Sequence, residues 1–249
     1  MPALAGHSIV LGTMRIHEKG RSEAEWAAIF GAAWDRGVRR LHSSSEYDSF
    51  PMLRAVLDRL ARERPDVEFA HVVKLADPHF GEDRFDGERF ATRVLEHCDA
   101  LGVPRIETVQ WMWRAGIEED ERRIAAFEAD RGAIQEAARQ LREAGTMGEL
   151  GCFPYSPAFA AAAVRSGLFD GLIVYANAFE REYEPEIAAA RAAGMFVDII
   201  RPFAAGKALR ESGEPADRHL VGLLERTGAR AAILSVSGPE QLDAVLPPL

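Results

Sequence analysis

The chain has 249 residues, 47% of them hydrophobic and 28% charged, an ordinary globular composition. A formal net charge of -9 argues against nucleic acid as a partner, because phosphate recognition needs a basic face. No apolar run reaches membrane-spanning length, Met1 to His7 lacks a basic region followed by an apolar core, and Cys98 and Cys152 fall in different elements, so the expectation is a cytoplasmic chain without leader, membrane association or disulfide.

Ile9 to Met14 is an apolar run broken by Gly12 and reads as a first strand. Ser22 with Glu25 three residues on is a capping box, and Trp26, Ile29, Phe30, Ala33 and Trp34 recur at helical spacing as far as Arg36. After Gly37, Val38 to Leu41 is a second strand. Pro51 to Arg64 is a helix with Leu53, Val56, Leu57 and Leu60 on one face, stopped by Pro65. Phe69 to Leu75 is a third strand, Gly87 to Leu101 a helix closed by Gly102, and Ile106 to Trp113 a fourth strand. Residues 115–131 read as a charged insertion, a loop or short helix carrying the acids Glu118 to Glu121.

Ile134 to Ala144 is the next helix and Met147 to Phe153 the fifth strand. An Ala-rich helix from Ser156 to Ser166 precedes a sixth strand, Gly171 to Ala176. Glu184 to Ala193 is helical, Phe196 to Ile200 a seventh strand, and Ala216 to Thr227 a helix closed by Gly228. Ala231 to Val236 is the eighth strand and Glu240 to Val245 a last short helix.

Strand and helix thus alternate eight times, with a period of about thirty residues that suits βαβ units. Continuously apolar strands such as Ala231 to Val236 suit a sheet buried on both faces. The expectation is one (β/α)8 TIM barrel spanning residues 1–249, without linker or second domain. A doubly wound open sheet is the rival, but Gly12-Thr13-Met14 is not the Gly-rich turn such sheets carry after their first strand.

A barrel carries its chemistry at the C-terminal ends of its strands. Leu41 to Phe50 lies at such an end and crowds His42, Ser43, Ser44, Ser45, Glu46, Tyr47, Asp48 and Ser49 together. These groups move protons; equally, a polar turn with a Ser cap would use some of them. Lys74 ends the third strand, where burying an ammonium is costly without a purpose. Arg201 ends the seventh and suits either a substrate carboxylate or phosphate or a surface ion pair. Of Trp111, Met112 and Trp113, alternate side chains face opposite ways, one set into the core and the other toward the rim. Cys152 reads as core, and the seven scattered histidines give no metal-binding spacing.

In register along nearly the whole length, the sequence resembles the aldo-keto reductases. Leu11-Gly12-Thr13-Met14 is similar to the end of that family's first strand, and Gly37 to Tyr47 to its segment G-I-R-x-F-D-T-A-x-x-Y. Val72-Val73-Lys74 resembles the strand that ends in its catalytic Lys, and Ile106 to Trp113 resembles I-D-L-x-Q-x-H-W. Gly145 to Gly151, Asn177 to Arg181, Pro202 to Leu209 and Ser235 to Leu242 are similar to G-K-I-R-x-I-G, N-x-x-x-R, P-L-A-x-G-x-L and G-x-S-x-x-E-Q-L.

The resemblance implies carbonyl reduction with NADPH or NADH, a Tyr proton donor whose pKa is lowered by a Lys, an Asp that holds the Lys, and a His that orients the carbonyl. Tyr47 and Lys74 match; His42 stands for the Asp and Met112 for the His. His42 is then a neutral partner of Lys74, a base in its own right, or structural. If nicotinamide binds, the resemblance assigns it to Gly12, Thr13, Met14, Asn177, Ser237, Gly238 and Gln241; with or without it, Trp113, Phe153, Tyr155 and Arg201 at the strand ends are the substrate-binding candidates. The amide-binding Ser-Asn pair is Phe153-Pro154, the Gln of strand six is Ile173, the stacking aromatic falls near Ile200, and Ser237 to Gln241 brings Glu240 but no cation for an adenosine phosphate.

Three readings follow. The preferred one is a barrel enzyme using Tyr47 and Lys74 for proton transfer on a small polar molecule without nicotinamide, in an elimination, isomerisation, cyclisation or hydrolysis. The second is a divergent NAD(P)H-dependent carbonyl reductase, and the third a pseudoenzyme or binding subunit. Substrate and oligomeric state are not written in the sequence.

Overall fold

The computed structural model describes residues 6–18 and 20–248, and of residue 7 the backbone alone. Met1 to Ala5, read above for a leader, lie outside the described residues. Eight strands close in chain order into a (β/α)8 barrel. They are β1 (Ile9–Gly12), β2 (Arg40–Ser43), β3 (Ala70–Ala76), β4 (Ile106–Met112), β5 (Met147–Cys152), β6 (Gly171–Tyr175), β7 (Phe196–Ile200) and β8 (Ala231–Leu234). The helices are α1 (Glu23–Asp35), α2 (Phe50–Glu63), α3 (Gly87–Leu101), α4 (Asp120–Glu143), α5 (Pro157–Ser166), α6 (Glu184–Ala192), α7 (Lys207–Ser212), α8 (Ala216–Thr227) and α9 (Pro239–Val245). No helix among the described residues is long and apolar enough to cross a membrane.

Local signals account for most boundaries. Ser22 caps α1 reciprocally with Glu25, the capping box expected from their spacing. Asp86 caps α3 by accepting from the backbone N–H of Glu88 and Arg89. Gly102, Gly167 and Gly228 end α3, α5 and α8 in the left-handed conformation, which glycine adopts without steric cost.

Three departures concern the rim. β2 begins two residues later than its apolar run suggests, so His42 and Ser43 belong to the strand rather than to the loop. The reason lies in the turn: Gly37 sits at φ 90° and the Val38 N–H is spent on the Ala33 carbonyl, so pairing starts only at Arg40. The charged stretch after β4 is not a loop leading to a separate helix, because Asp120 to Glu143 is one helix of 24 residues. Its acidic start is the favourable end of a helix dipole, with Asp120 and Glu121 in the first turn. A short helix, α7, occupies Lys207–Ser212 between two left-handed glycines, Gly206 and Gly213.

The chain divides into two compact units. One comprises Met1–His71, Tyr175–Arg181 and Ile199–Leu249; in it β1 pairs in parallel with β2 and β8, and Trp26, Phe30, Trp34 and Phe69 form an aromatic chain of edge contacts. The other comprises Val72–Val174 and Glu182–Asp198; in it β3 to β6 pair in parallel, and Trp111 packs against Phe127, Phe159 and Phe169 beneath α4 and α5.

Candidate functional site

In the first unit, β2 delivers His42 and its loop delivers Tyr47. His42 is 6% exposed, Tyr47 is half-buried, and their rings lie 6.3 Å apart, tilted by 51°. The His42 carbonyl accepts both from Thr13 N–H and from Thr13 Oγ1, each at 3.0 Å, which ties the end of β1 to the end of β2. Gly12 is needed there because a Cβ would stand 2.7 Å from Ser235 Oγ. Met14 is exposed. Ser44 Oγ accepts from Glu46 N–H at 3.3 Å, a local turn bond. Ser49 precedes α2 but makes no side-chain cap, and the buried hydroxyls of Ser43 and Ser49 find no hydrogen-bond partner among the described residues.

Asn177 is a loop brace. Its Oδ1 accepts from Phe179 N–H at 2.9 Å and Glu180 N–H at 3.0 Å, while Nδ2 donates to Arg201 O at 3.0 Å and to Glu180 Oε2. Arg201, at φ 59°, pairs with Glu180 at 3.0 Å and lies over the Tyr175 ring at 5.3 Å. Ser237 N–H donates to Gln241 Oε1 at 2.8 Å. Sequence reasoning passed over Arg21: its Nε donates to Ser237 O at 3.0 Å, and its Nη2 lies 2.5 Å from where a Cβ on Gly238 would be. The turn after β8 therefore holds a cation that comes from before α1.

In the second unit, Trp111 faces the helices, so its neighbours Gln110 and Met112 face the opposite side of the sheet. Lys74 pairs in register with Gln110 and shares that face; it is half-buried. Beyond β3, Asp77 is fully buried and accepts from Asp86 N–H, from Arg89 at 2.8 and 2.7 Å and from Arg93 at 3.1 Å. Burial pushes its carboxyl up, while the same contacts raise Arg89. With two guanidiniums at hydrogen-bond distance, Asp77 is a brace for the β3–α3 loop.

Beyond β4, Arg114 is 9% exposed and joins two aromatic rings. Its Nε donates to Tyr155 Oη at 2.9 Å and its Nη1 to His79 Nε2 at 2.8 Å. Arginine only donates, so His79 Nε2 is the acceptor of this bond. Tyr155 Oη in turn donates to Met112 Sδ at 3.4 Å, and its ring stands edge-on to Phe153 at 4.8 Å. Tyr155 sits at φ 63°, a conformation unusual for a bulky residue. Trp113 meets Trp111 edge-on at 6.2 Å, which gives it to the helix-facing side. Cys152 is fully buried, and burial pushes its thiol up, as befits a core residue rather than a nucleophile.

Gly151 and Gly171 carry an unforeseen constraint. A Cβ on Gly171 would fall 2.2 Å from the Phe196 ring, and one on Gly151 would fall 2.9 Å from Ile173 and 3.1 Å from Phe196. Among the described residues no group of three or more His, Cys, Asp or Glu is placed to hold a metal ion.

No family model matches the chain, and no curated protein matches it. Solved structures do. A Pseudomonas aeruginosa protein assigned to the aldo-keto reductases superposes with a TM-score of 0.72 at 20% identity, over 96% of this chain and 88% of that one. An aldo-keto reductase of Bacillus halodurans, solved in its holo form, gives a TM-score of 0.70 at 17% identity, over 96% and 85%. At these identities the likeness establishes the fold alone: this chain has the same (β/α)8 barrel as these two proteins.

Proposed function

We propose that the chain is an enzyme built on the aldo-keto reductase barrel, acting on a small polar molecule by acid–base chemistry that does not use nicotinamide. Tyr47 is the acid–base group, Lys74 supplies the positive charge that favours its phenolate, and His42 assists. The observation that carries this reading is the state of the strand ends where the resemblance would seat nicotinamide. Phe153 is buried against Tyr155, Pro154 is buried, Ile173 is fully buried, and the Met112 sulfur accepts from Tyr155. Tyr155 engages both Phe153 and Met112, and none of Phe153, Pro154 and Ile173 offers the amide of a cofactor a hydrogen-bonding side chain.

Arg21 favours a second reading. A guanidinium at the turn after β8 is the charge that an adenosine phosphate needs, although Ser237 O and Glu25 already engage it. The divergent carbonyl reductase, in which the positions named above would hold NADPH or NADH, is therefore the alternative.

Titration with NADPH and NADH separates the two, read by tryptophan quenching and by reduced-nicotinamide fluorescence. Binding near 1 μM, about -8 kcal/mol, overturns the cofactor-free reading; absence of binding at millimolar cofactor retires the reductase. Under either reading Tyr47→Phe abolishes turnover with the fold intact, and an undiminished rate in that variant removes Tyr47 from the mechanism.

A further inference from the structure

Tyr155 stands at φ 63° directly after Pro154. A positive φ just after proline is a turn position that glycine fills without steric cost and that a bulky side chain occupies under strain. Such strain persists only where the surroundings hold the residue in place. Both flanks of Tyr155 are fixed. Ahead of it, Phe153 N–H donates to Trp111 O at 2.9 Å. Behind it, Ser156 Oγ accepts from Phe159 N–H at 3.1 Å and from Arg123 Nη2 at 3.0 Å, and donates to Asp120 Oδ1 at 2.8 Å. The freedom left to this turn lies in Tyr155 itself and in the peptide that joins it to Pro154.

The side chain supplies the remaining restraint. Its oxygen accepts from Arg114 Nε, a guanidinium anchored in turn on His79 Nε2. Its proton goes to a thioether, a weak acceptor. The hydrogen bond from the cation and the backbone strain that it opposes are free energies of the same order. Opposing terms of similar size make a two-state element rather than a rigid brace. Beneath the ring lie the ends of two strands. Met112, with its sulfur against the phenol, is 1% exposed, and Phe153, edge-on to the ring, is 4% exposed.

We propose that Tyr155 is a gate over the ends of β4 and β5, with Arg114 as its latch. In the closed state the phenol is held on Arg114 and covers Met112. In the open state the Pro154–Tyr155 peptide turns, Tyr155 relaxes to negative φ, and Met112 and Phe153 meet solvent. The gate lies wholly within the second unit and rests on neither Tyr47 nor nicotinamide, so it is tested apart from either reading of the chemistry.

The Met112 sulfur reports the gate. Hydrogen peroxide converts an accessible thioether to the sulfoxide, one oxygen passing to sulfur and water being released. The whole chain is treated with peroxide in rising, sub-denaturing urea, and oxidation at each methionine is followed by peptide mass spectrometry. Met14, 48% exposed, gives the rate of an open thioether, and Met147, 2% exposed at the other end of β5, gives the rate through global unfolding. Met112 reacts more slowly than Met14 and at least about tenfold faster than Met147. Its rate stays flat with urea while that of Met147 climbs, because opening one residue exposes little surface. Tyr155→Phe, which drops the latch but keeps the ring, speeds Met112 about tenfold with the flat urea response retained. Arg114→Leu does the same, and Arg114→Lys, which keeps a donor, has a smaller effect. If Arg114→Leu does not fold, Tyr155→Phe and Arg114→Lys still decide. A Met112 rate that climbs with urea in step with Met147, or one that Tyr155→Phe leaves unchanged, overturns the proposal.

Discussion

The phenol of Tyr155 donates to the sulfur of Met112 across 3.4 Å while accepting from Arg114 Nε at 2.9 Å. A residue just past β5 thereby closes over the last residue of β4, and Arg114 extends the chain of contacts to His79. Tyr155→Phe keeps the ring and strips a buried guanidinium nitrogen of its acceptor. The expected loss is about 1–2 kcal/mol, measured as a lower urea midpoint at unchanged slope. An unchanged midpoint would mean that Arg114 finds another acceptor at no cost.

Asp77 holds two arginines and a backbone N–H from a fully buried position. Asp77→Ala leaves Arg89 and Arg93 without that acceptor, at an expected cost of about 2–3 kcal/mol, less than for a wholly buried pair because both arginines are partly in water. Asp77→Asn, which still accepts, costs less. Chemical denaturation of the two variants side by side checks the order.

His71 in β3 is 2% exposed, and burial pushes its pKa down from 6.5 to about 4. The unfolded chain therefore binds a proton that the folded chain refuses. Stability from this group is fully present above pH 6.5 and is lost as pH falls from there toward 4. Between pH 7 and pH 5 the loss amounts to about 2 kcal/mol. His71→Leu should flatten that part of the stability–pH curve; the same slope in the variant would assign it to other groups.

Gly132 lies inside α4, where a Cβ would meet nothing within 4 Å. Gly132→Ala should stabilise the chain by about 0.5–1 kcal/mol, through helix propensity alone. Thermal unfolding reads this directly, and a lower midpoint would contradict the open surroundings of that position.

Much of the architecture was legible because its signals are local. The Ser22–Glu25 box, the closing glycines at 102, 167 and 228, and apolar runs of strand length each act within a few residues. What was not legible depends on distant partners or on short range without periodicity. Arg123 sits in a run of charges and reads as surface, yet Ser156 and Phe159, more than thirty residues on, bury it. Arg21 meets Ser237 across 216 positions. The helix Lys207–Ser212 spans too few residues to show a hydrophobic face. At the rim, the proposed roles of Tyr47 and Lys74 start from a local motif, whereas the roles of Asn177 as a brace and of Arg114 as a link appear only from their contacts.

The ring of Phe196 occupies the space that a side chain at 171 would need and, together with Ile173, the space that one at 151 would need. Substitutions on these two strands are therefore ordered in time. A side chain added at Gly171 needs Phe196 trimmed first, and one added at Gly151 needs both Ile173 and Phe196 to give way. Three positions scattered over forty-six residues of sequence are thus coupled through one ring, at the strand ends opposite the candidate site.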